Sequence, residues 1–378
     1  MSFDSNVKIG VLGGGQLGRM MIQSAIDFNL DVHVLDPDPN APCKDISTSF
    51  TNGALTDYDT VMAFGADKEL LTIEIENVNT EALKALETQG KKVFPQPHII
   101  ELIQNKLHQK QFYAANNIPT APFHEVANAE EVEAKKDLLP FVNKLATGGY
   151  DGRGVQVIKS EEALSKAFDA HGFVEELVDF EKELAVIVAR NESGEMKTFP
   201  TVEMVFHPEH NLVEYLFSPA DINSNIENEA QELAKTVIEK LDMTGLLAIE
   251  MFLTKEGKLL VNEIAPRTHN SGHQTIEGNV TSQFEQHLRA ILNWPLGDTA
   301  TLWPSAMVNL LGEDGFTGNA RYEGMAEVLA KAGVHVHLYG KKLTKPFRKM
   351  GHITVSDQDM TELREKVNFV KTTLKVKA

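Results

Sequence analysis

Along the first hundred residues, short apolar runs alternate with stretches whose apolar positions recur at helical spacing. Val7 to Leu12 is an apolar run that stops at Gly13-Gly14-Gly15. After it, Leu17, Met20, Met21, Ala25 and Phe28 fall near one face of a helix. Asp31 to Leu35 reads as a second strand, which Asp36-Pro37-Asp38-Pro39 cannot continue because proline has no ladder donor. Leu70 to Ile75 reads as another strand. Strand and helix in alternation predict a parallel sheet with helices on its faces, the doubly wound α/β arrangement.

The rhythm then changes. Leu139 to Ala146 and Val155 to Ile158 look like two strands around a glycine-rich loop, while the mixed charges of Ala129 to Asp137 suit a solvated helix face. A helix over about Glu227 to Leu241 leads to two further strands, Leu246 to Leu253 and Leu259 to Ile264. Hairpins mixed with helices predict an α+β unit. Trp294-Pro295-Leu296-Gly297 and Trp303-Pro304 mark a boundary. Beyond it lie short strands and a final helix with Met360, Leu363, Val367 and Val370 on one face.

Composition narrows the classes. The chain has 378 residues and a formal charge of −18, from 36 Lys and Arg against 54 Asp and Glu. That balance argues against broad nucleic-acid or anionic-membrane binding, which needs a basic face, but leaves room for a local basic pocket. The one cysteine, Cys43, cannot form an internal disulfide and reads as a packing residue. No apolar run reaches the ~18 residues of a membrane helix. The start, Met1-Ser2-Phe3-Asp4-Ser5-Asn6, is not a signal peptide, so a cytoplasmic protein is expected.

Gly13-Gly14-Gly15-Gln16-Leu17-Gly18 fits G-x-G-x-x-G between a strand and a helix, with Asp36 ending the next strand. Three readings stay open at this motif: a nicotinamide dinucleotide site with Asp36 on a ribose, a tight turn only, or a helix N-terminus facing another anion such as a sugar phosphate. Thr147-Gly148-Gly149-Tyr150-Asp151-Gly152-Arg153-Gly154 has four glycines in eight residues, with Lys144 just before it. Exposed backbone amides with fixed positive charge make a phosphate cradle, although no Gly-Lys-Ser/Thr follows as in a P-loop.

Glu250 and Glu263 sit in the two apolar strands just described. A two-residue turn at Glu256-Gly257 would pair Lys255 with Lys258 and bring Glu250 directly opposite Glu263. Facing carboxylates share a proton or a cation, and hard oxygen ligands beside phosphates suit Mg²⁺. Glu175-Glu176-Leu177-Val178, followed by Glu183, could offer backbone groups to an adenine edge and a carboxylate to ribose hydroxyls. Ala265-Pro266-Arg267-Thr268-His269-Asn270-Ser271-Gly272-His273 is dense in substrate-binding residue types. Tyr339-Gly340-Lys341 and Arg348-Lys349-Met350-Gly351-His352 form a basic cluster that suits a phosphate.

In this order, the segments resemble the ATP-grasp superfamily, and within it the N5-carboxyaminoimidazole ribonucleotide synthases. The resemblance runs from Gly13 to His352 and is most specific at Gly148 to Gly154 and at Asn262-Glu263-Ile264-Ala265-Pro266-Arg267. Thr268 stands where the family usually has proline. The resemblance implies an N-terminal doubly wound domain (1–103), a central ATP-grasp domain (104–303, with a mobile lid over about 121–185) and a small C-terminal domain (304–378). It implies ATP with Mg²⁺, or Mn²⁺, as cofactor. ATP would contact Lys106, Lys144, Gly149, Tyr150, Asp151, Gly152, Arg153, Gly154, Glu175, Glu176, Leu177, Val178, Glu183, Asn262 and Glu263. Glu250 and Glu263 would carry the metal. Gln16, Leu17, Glu76, Asn270, Lys341, Arg348 and Lys349 would bind aminoimidazole ribonucleotide, and Tyr150, Arg153, Arg267 and His269 would gather around bicarbonate. A homodimer is implied. The activity implied is carboxylation of the ribonucleotide through carboxyphosphate in purine biosynthesis. A formate-dependent glycinamide ribonucleotide transformylase and a dehydrogenase are the alternatives.

Overall fold

The computed structural model describes residues 6–148, 154–206 and 212–378. The chain begins with β1 (Lys8–Leu12), α1 (Gln16–Asp27), β2 (Asp31–Asp36), β3 (Ser49–Asn52), α2 (Tyr58–Gly65), β4 (Leu70–Ile73), α3 (Thr80–Thr88) and β5 (Lys92–Val93). The strands form a parallel sheet in the order β3-β2-β1-β4-β5. Its central strands are buried on both faces, which is why they read as continuous apolar runs. Leu17, Met20, Met21 and Ala25 of α1 pack on one face, and Val61, Leu83 and Leu86 of α2 and α3 on the other. The strand expected over Leu70 to Ile75 stops at Ile73, because Glu74 turns inward beneath the glycine loop.

Two helices, α4 (Pro97–Gln104) and α5 (Lys106–Ala115), lead into a small antiparallel sheet. It contains β6 (Phe123–Val126), β7 (Phe141–Leu145), β8 (Val155–Ile158) and β9 (Gly172–Glu176) in the order β6-β9-β7-β8, with α6 (Ala129–Glu133) after β6. Leu177 to Asp179 then connect it to β10 (Phe180–Arg190), the middle of a second, larger sheet. That sheet adds β11 (Met196–Thr198), β12 (Val202–Phe206), β13 (Val213–Ser218), β14 (Gly245–Thr254) and β15 (Leu259–Ala265). The helix α7 (Ser224–Lys240) covers one face, with Ala230, Ala234, Val237 and Ile238 against Leu184, Val186, Leu247 and Ile249.

After α8 (Thr275–Gly278) and α9 (Gln283–Ile291) comes β16 (Ser305–Leu311), which pairs with β13. The C-terminal strands therefore extend the central sheet. The elements β17 (Gly318–Asn319), β18 (Arg321–Glu323), α10 (Met325–Leu329), β19 (Val334–Leu338), β20 (Leu343–Thr344), β21 (Lys349–Ser356), α11 (Met360–Thr373) and β22 (Lys375–Lys377) follow. Among them β21 and β19 continue the large sheet beyond β16, and α11 buries Leu363, Val367 and Val370.

The β14–β15 hairpin corrects one expectation. Its loop holds three residues, Lys255, Glu256 and Gly257, because the Thr254 amide donates to the Lys258 carbonyl at 2.9 Å. Gly257 takes φ +79°, the left-handed conformation such a loop needs. Near the loop the register is Met251 opposite Val261, one residue out of step with the two-residue turn. A β-bulge at Asn262 then restores it, so that Glu250 still faces Glu263. The bulge is braced from outside the sheet. Val261 donates its amide to the Pro119 carbonyl at 2.7 Å and accepts from Thr120 Oγ1 at 2.7 Å.

The glycine loop after β1 is also resolved by packing. Leu17 N donates to Glu74 Oε1 at 3.1 Å, and Gly14 N donates to Asp36 Oδ2 at 2.6 Å. The positive end of α1 is thus met by the chain's own carboxylate. Asp36, the acid a dinucleotide reading would place on a ribose, is committed to the loop itself. A Cβ on Gly15 would lie 2.5 Å from Glu74 Oε1. Gly15→Ala should therefore displace Glu74 and destabilise the fold by about 1–3 kcal/mol, read as a lower urea midpoint at unchanged slope.

Candidate active site

The site lies on the face of the large sheet opposite α7. Strand alternation sends Ile249 and Met251 into the core beneath α7 and leaves Glu250 on the other face. Glu183 of β10 is registered against Phe252, so it shares the face of Glu250. From α5, Lys106 Nζ reaches Glu263 Oε2 at 2.5 Å. From β7, Lys144 Nζ reaches Asn262 Oδ1 at 3.2 Å and also forms an ion pair with Glu175. The bulge is what lets neighbouring residues Asn262 and Glu263 both meet lysines of this cluster.

These contacts set the electrostatics. Burial, then the facing Glu263 and Glu183, push the Glu250 carboxyl well above the ordinary carboxylate range. The Lys106 ammonium holds Glu263 well below that range. The facing carboxylates therefore carry one negative charge and one retained proton. Glu183 is pushed up to about 7 by burial. His269 lies with Nε2 3.7 Å from Glu250 Oε1, but burial, then Arg267 and Lys349, lower it to about 3. Its ring is neutral, with Nδ1 2.9 Å from Ser271 Oγ. The backbone on both sides of that ring is fixed by Gln283, which accepts from His269 N at 2.8 Å and donates to His269 O at 2.7 Å.

The other two parts of the chain close on this centre. Arg267 pairs with Glu76: Nη2 donates to Oε2 at 3.2 Å, and Nε lies 2.8 Å from Oε1 as an ion pair. Lys341 Nζ donates to Gln16 Oε1 at 3.0 Å and to the Lys349 carbonyl at 2.8 Å. Leu17 has its side chain in the core and its amide on Glu74. Asn270 and Asn309 exchange two amide hydrogen bonds of 3.0 Å. Arg348 turns away onto the Leu343 carbonyl at 2.7 Å. Glu176 is exposed, and Leu177 and Val178 lie half-buried in the connection between the two sheets. Gly154 takes φ +73° and accepts from Leu145 N at 2.9 Å, and Gly148 takes φ +81°. Gly149, Tyr150, Asp151, Gly152 and Arg153 lie outside the described residues.

Sequence reasoning missed three participants. Lys110, one turn after Lys106 on α5, pairs with Glu175 at 2.9 Å. The i, i+4 spacing of the two lysines was its available signal. Glu74 alternates with Glu76 in Thr72-Ile73-Glu74-Ile75-Glu76, and that alternation was likewise readable. Asn309 offers no local signal, because only the β13–β16 pairing brings it to the site.

A sheet-edge carboxylate pair, lysines from a helix and from a second small sheet, and a glycine-rich sequence between the paired strands β7 and β8 define an ATP-grasp fold. Known families match in the same order: a ribonucleotide synthetase preATP-grasp domain over residues 6–104, an ATP-grasp domain over 111–284 and a phosphoribosylaminoimidazole carboxylase C-terminal domain over 305–366. The crystal structure of N5-carboxyaminoimidazole ribonucleotide synthetase from Thermotoga maritima is 43% identical, with a TM-score of 0.92 over 98% of this chain and 99% of that one. A synthase from Aspergillus clavatus in complex with ADP and 5-aminoimidazole ribonucleotide is 35% identical, with a TM-score of 0.88 over 97% of this chain and 98% of that one. The phosphoribosylaminoimidazole carboxylase of Ogataea methanolica is 39% identical over 97% of this chain. The chain spans about two thirds, 65% to 69%, of the length of the phosphoribosylaminoimidazole carboxylases it matches. The chain belongs to the N5-carboxyaminoimidazole ribonucleotide synthase family.

The donor set is oxygen-only at the facing pair and fits a hard divalent cation. Because Glu250 holds a proton when no cation is present, cation binding must expel it. Mg²⁺ affinity measured by calorimetry in the presence of ADP should rise from mildly acid to mildly alkaline pH, with proton release on binding. Affinity independent of pH would contradict the protonated state of Glu250.

Proposed function

We propose that the protein carboxylates 5-aminoimidazole ribonucleotide to N5-carboxyaminoimidazole ribonucleotide, using ATP and bicarbonate through carboxyphosphate, in de novo purine biosynthesis. One observation carries this reading: Lys341 on Gln16 and Arg267 on Glu76 bring the N- and C-terminal parts to the cluster around Glu250 and Glu263. A nucleotide held at the lysine and carboxylate cluster and a sugar phosphate held between the flanking parts would then meet.

In the reaction, a bicarbonate oxygen attacks the γ-phosphorus of ATP and ADP leaves. The exocyclic amine of the ribonucleotide then attacks the carboxyl carbon, phosphate departs, and the amine loses a proton. The first step is governed by positioning and charge neutralisation. Lys106 and Lys144 orient the phosphates, with the glycine loop from Gly149 to Gly154. The chain from Glu175 to Val178 borders the adenine, and Glu183 accepts from the ribose. Arg267, together with Tyr150 and Arg153, holds bicarbonate by paired hydrogen bonds. His269, neutral and anchored by Gln283, is a hydrogen-bond partner without charge. Gln16, the backbone at Leu17, Glu76, Asn270, Lys341 and Lys349 line the ribonucleotide site, and Arg348 joins them on leaving the Leu343 carbonyl. Glu250 and Glu263 would hold Mg²⁺ or Mn²⁺, which neutralises phosphate charge when bound.

The same reading places the protein in the cytoplasm as a homodimer. The single cysteine, buried at Cys43, suits a reducing compartment. No helix among the described residues is long and apolar enough to cross a membrane. Exposed Val280, Leu302 and Trp303 offer an apolar surface for a second copy.

The test is ADP release with bicarbonate, with and without aminoimidazole ribonucleotide. Stimulation by the ribonucleotide is expected, and its absence would remove the substrate assignment. Formate in place of bicarbonate should support no turnover; formate-dependent release would favour the transformylase. Glu250→Gln and Glu263→Gln should each lower kcat by about 10² or more. Near-wild-type rates in either variant would refute a role for the pair.

A further inference from the structure

Beside the facing carboxylates lies a second charged group, the side chain of Glu175, which the reaction scheme does not use even though its backbone borders the adenine. Glu175 is buried, with its side chain 5% exposed, and each of its oxygens meets a different lysine. Oε2 is 2.9 Å from Lys110 Nζ, and Oε1 is paired with Lys144. Burial alone would raise the Glu175 carboxyl, and Lys144 and Lys110 together more than offset this and hold it ionised. Two ammonium groups around one carboxylate leave a surplus positive charge.

The two lysines are not equivalent. Lys110 is enclosed, with its side chain 3% exposed, its Nζ donating to Thr120 Oγ1 at 2.5 Å and lying 5.6 Å from the centre of the Phe123 ring. Thr120 in turn donates to the Val261 carbonyl beside the bulge. Lys110 is therefore tied to α5, to β9 and to the edge of the large sheet. Lys144 is the more exposed of the two, at 12%, and its other contact is Asn262 Oδ1. It faces the site; Lys110 faces the interior.

We infer that Lys110 is a positioning residue that keeps Glu175 neutralised so that Lys144 can turn to a nucleotide phosphate. The inference rests on the proposal that Lys144 meets ATP. An unpartnered buried carboxylate is costly, so with Glu175 held by Lys144 alone that lysine would be locked in place. With Lys110 present, Glu175 keeps one ammonium when Lys144 leaves it. Glu175 thus acts as a resting place for Lys144, and Lys110 makes departure inexpensive.

The experiment titrates ADP with Mg²⁺ into the whole chain by calorimetry and measures KM for ATP and kcat in parallel. Lys110→Gln is one bond shorter and keeps a polar N–H donor but removes the charge. It should weaken ADP and raise KM for ATP by about tenfold, with kcat within about threefold of wild type. The double variant Lys110→Gln with Glu175→Gln releases Lys144 and should recover most of the lost affinity, which a merely structural role for Lys110 would not produce. Should Lys110→Gln fail to fold, Glu175→Gln and the double variant are compared. Equal ADP affinity in those two is expected, since Lys110 has no carboxylate left to hold. Wild-type affinity in Lys110→Gln, no recovery in the double variant, or unequal affinities in the fallback pair would overturn the inference. Wild-type protein that binds no ADP would overturn the ATP reading itself, and the inference with it.

Discussion

Two carboxylates directly opposite each other on adjacent strands repel, and nearly everything around Glu250 and Glu263 answers that repulsion. Lys106 takes Glu263 from α5, and Glu250 keeps a proton. A plain hairpin could have removed the conflict by offsetting the pair, since its three-residue loop sets the register one step out. The bulge at Asn262 restores the confrontation, and Pro119 and Thr120 brace the strand where it bends. A feature that disfavours the empty state and is reinforced by its surroundings is expected of a cation site.

The same logic explains how a chain of charge −18 can receive anions. Lys106, Lys110, Lys144, Arg267 and Lys341 all converge near the centre, each already engaged by a side chain of the protein. Acidic and amide partners hold the basic groups in position until phosphates replace some of them. Net charge describes the outer surface, while the cleft is set by these paired groups.

Much of this was legible in order along the chain. The alternation of β1, α1 and β2, the strands on either side of the glycine-rich sequence, and the apolar strands bearing Glu250 and Glu263 follow from local periodicity. The facing of the two glutamates was also readable, though for a turn that does not form: the loop is longer, and an unforeseen bulge cancels the error. A bulge depends on what braces the strand edge, here residues more than a hundred positions away. The long strand β10 carries no single period, because Glu181, Lys182 and Glu183 open it with charges before Leu184 to Ala189 run buried on both faces. The glycine motif was ambiguous for a similar reason. What decides it is Glu74, some sixty residues on, whose carboxylate fills the space a dinucleotide phosphate would need.

The central claim is that Glu250 and Glu263 are held in mutual repulsion for the sake of a bound cation. Its most direct test is the stability of Glu250→Gln against wild type by urea unfolding at mildly alkaline pH. With a chelator present and the pH raised until Glu250 gives up its retained proton, the variant should be the more stable by up to about 1 kcal/mol, because a like charge has then been removed. It should also lose the stabilisation that Mg²⁺ with ADP confers on wild type. A variant less stable than wild type without cation, or stabilised equally by Mg²⁺ with ADP, would contradict the account.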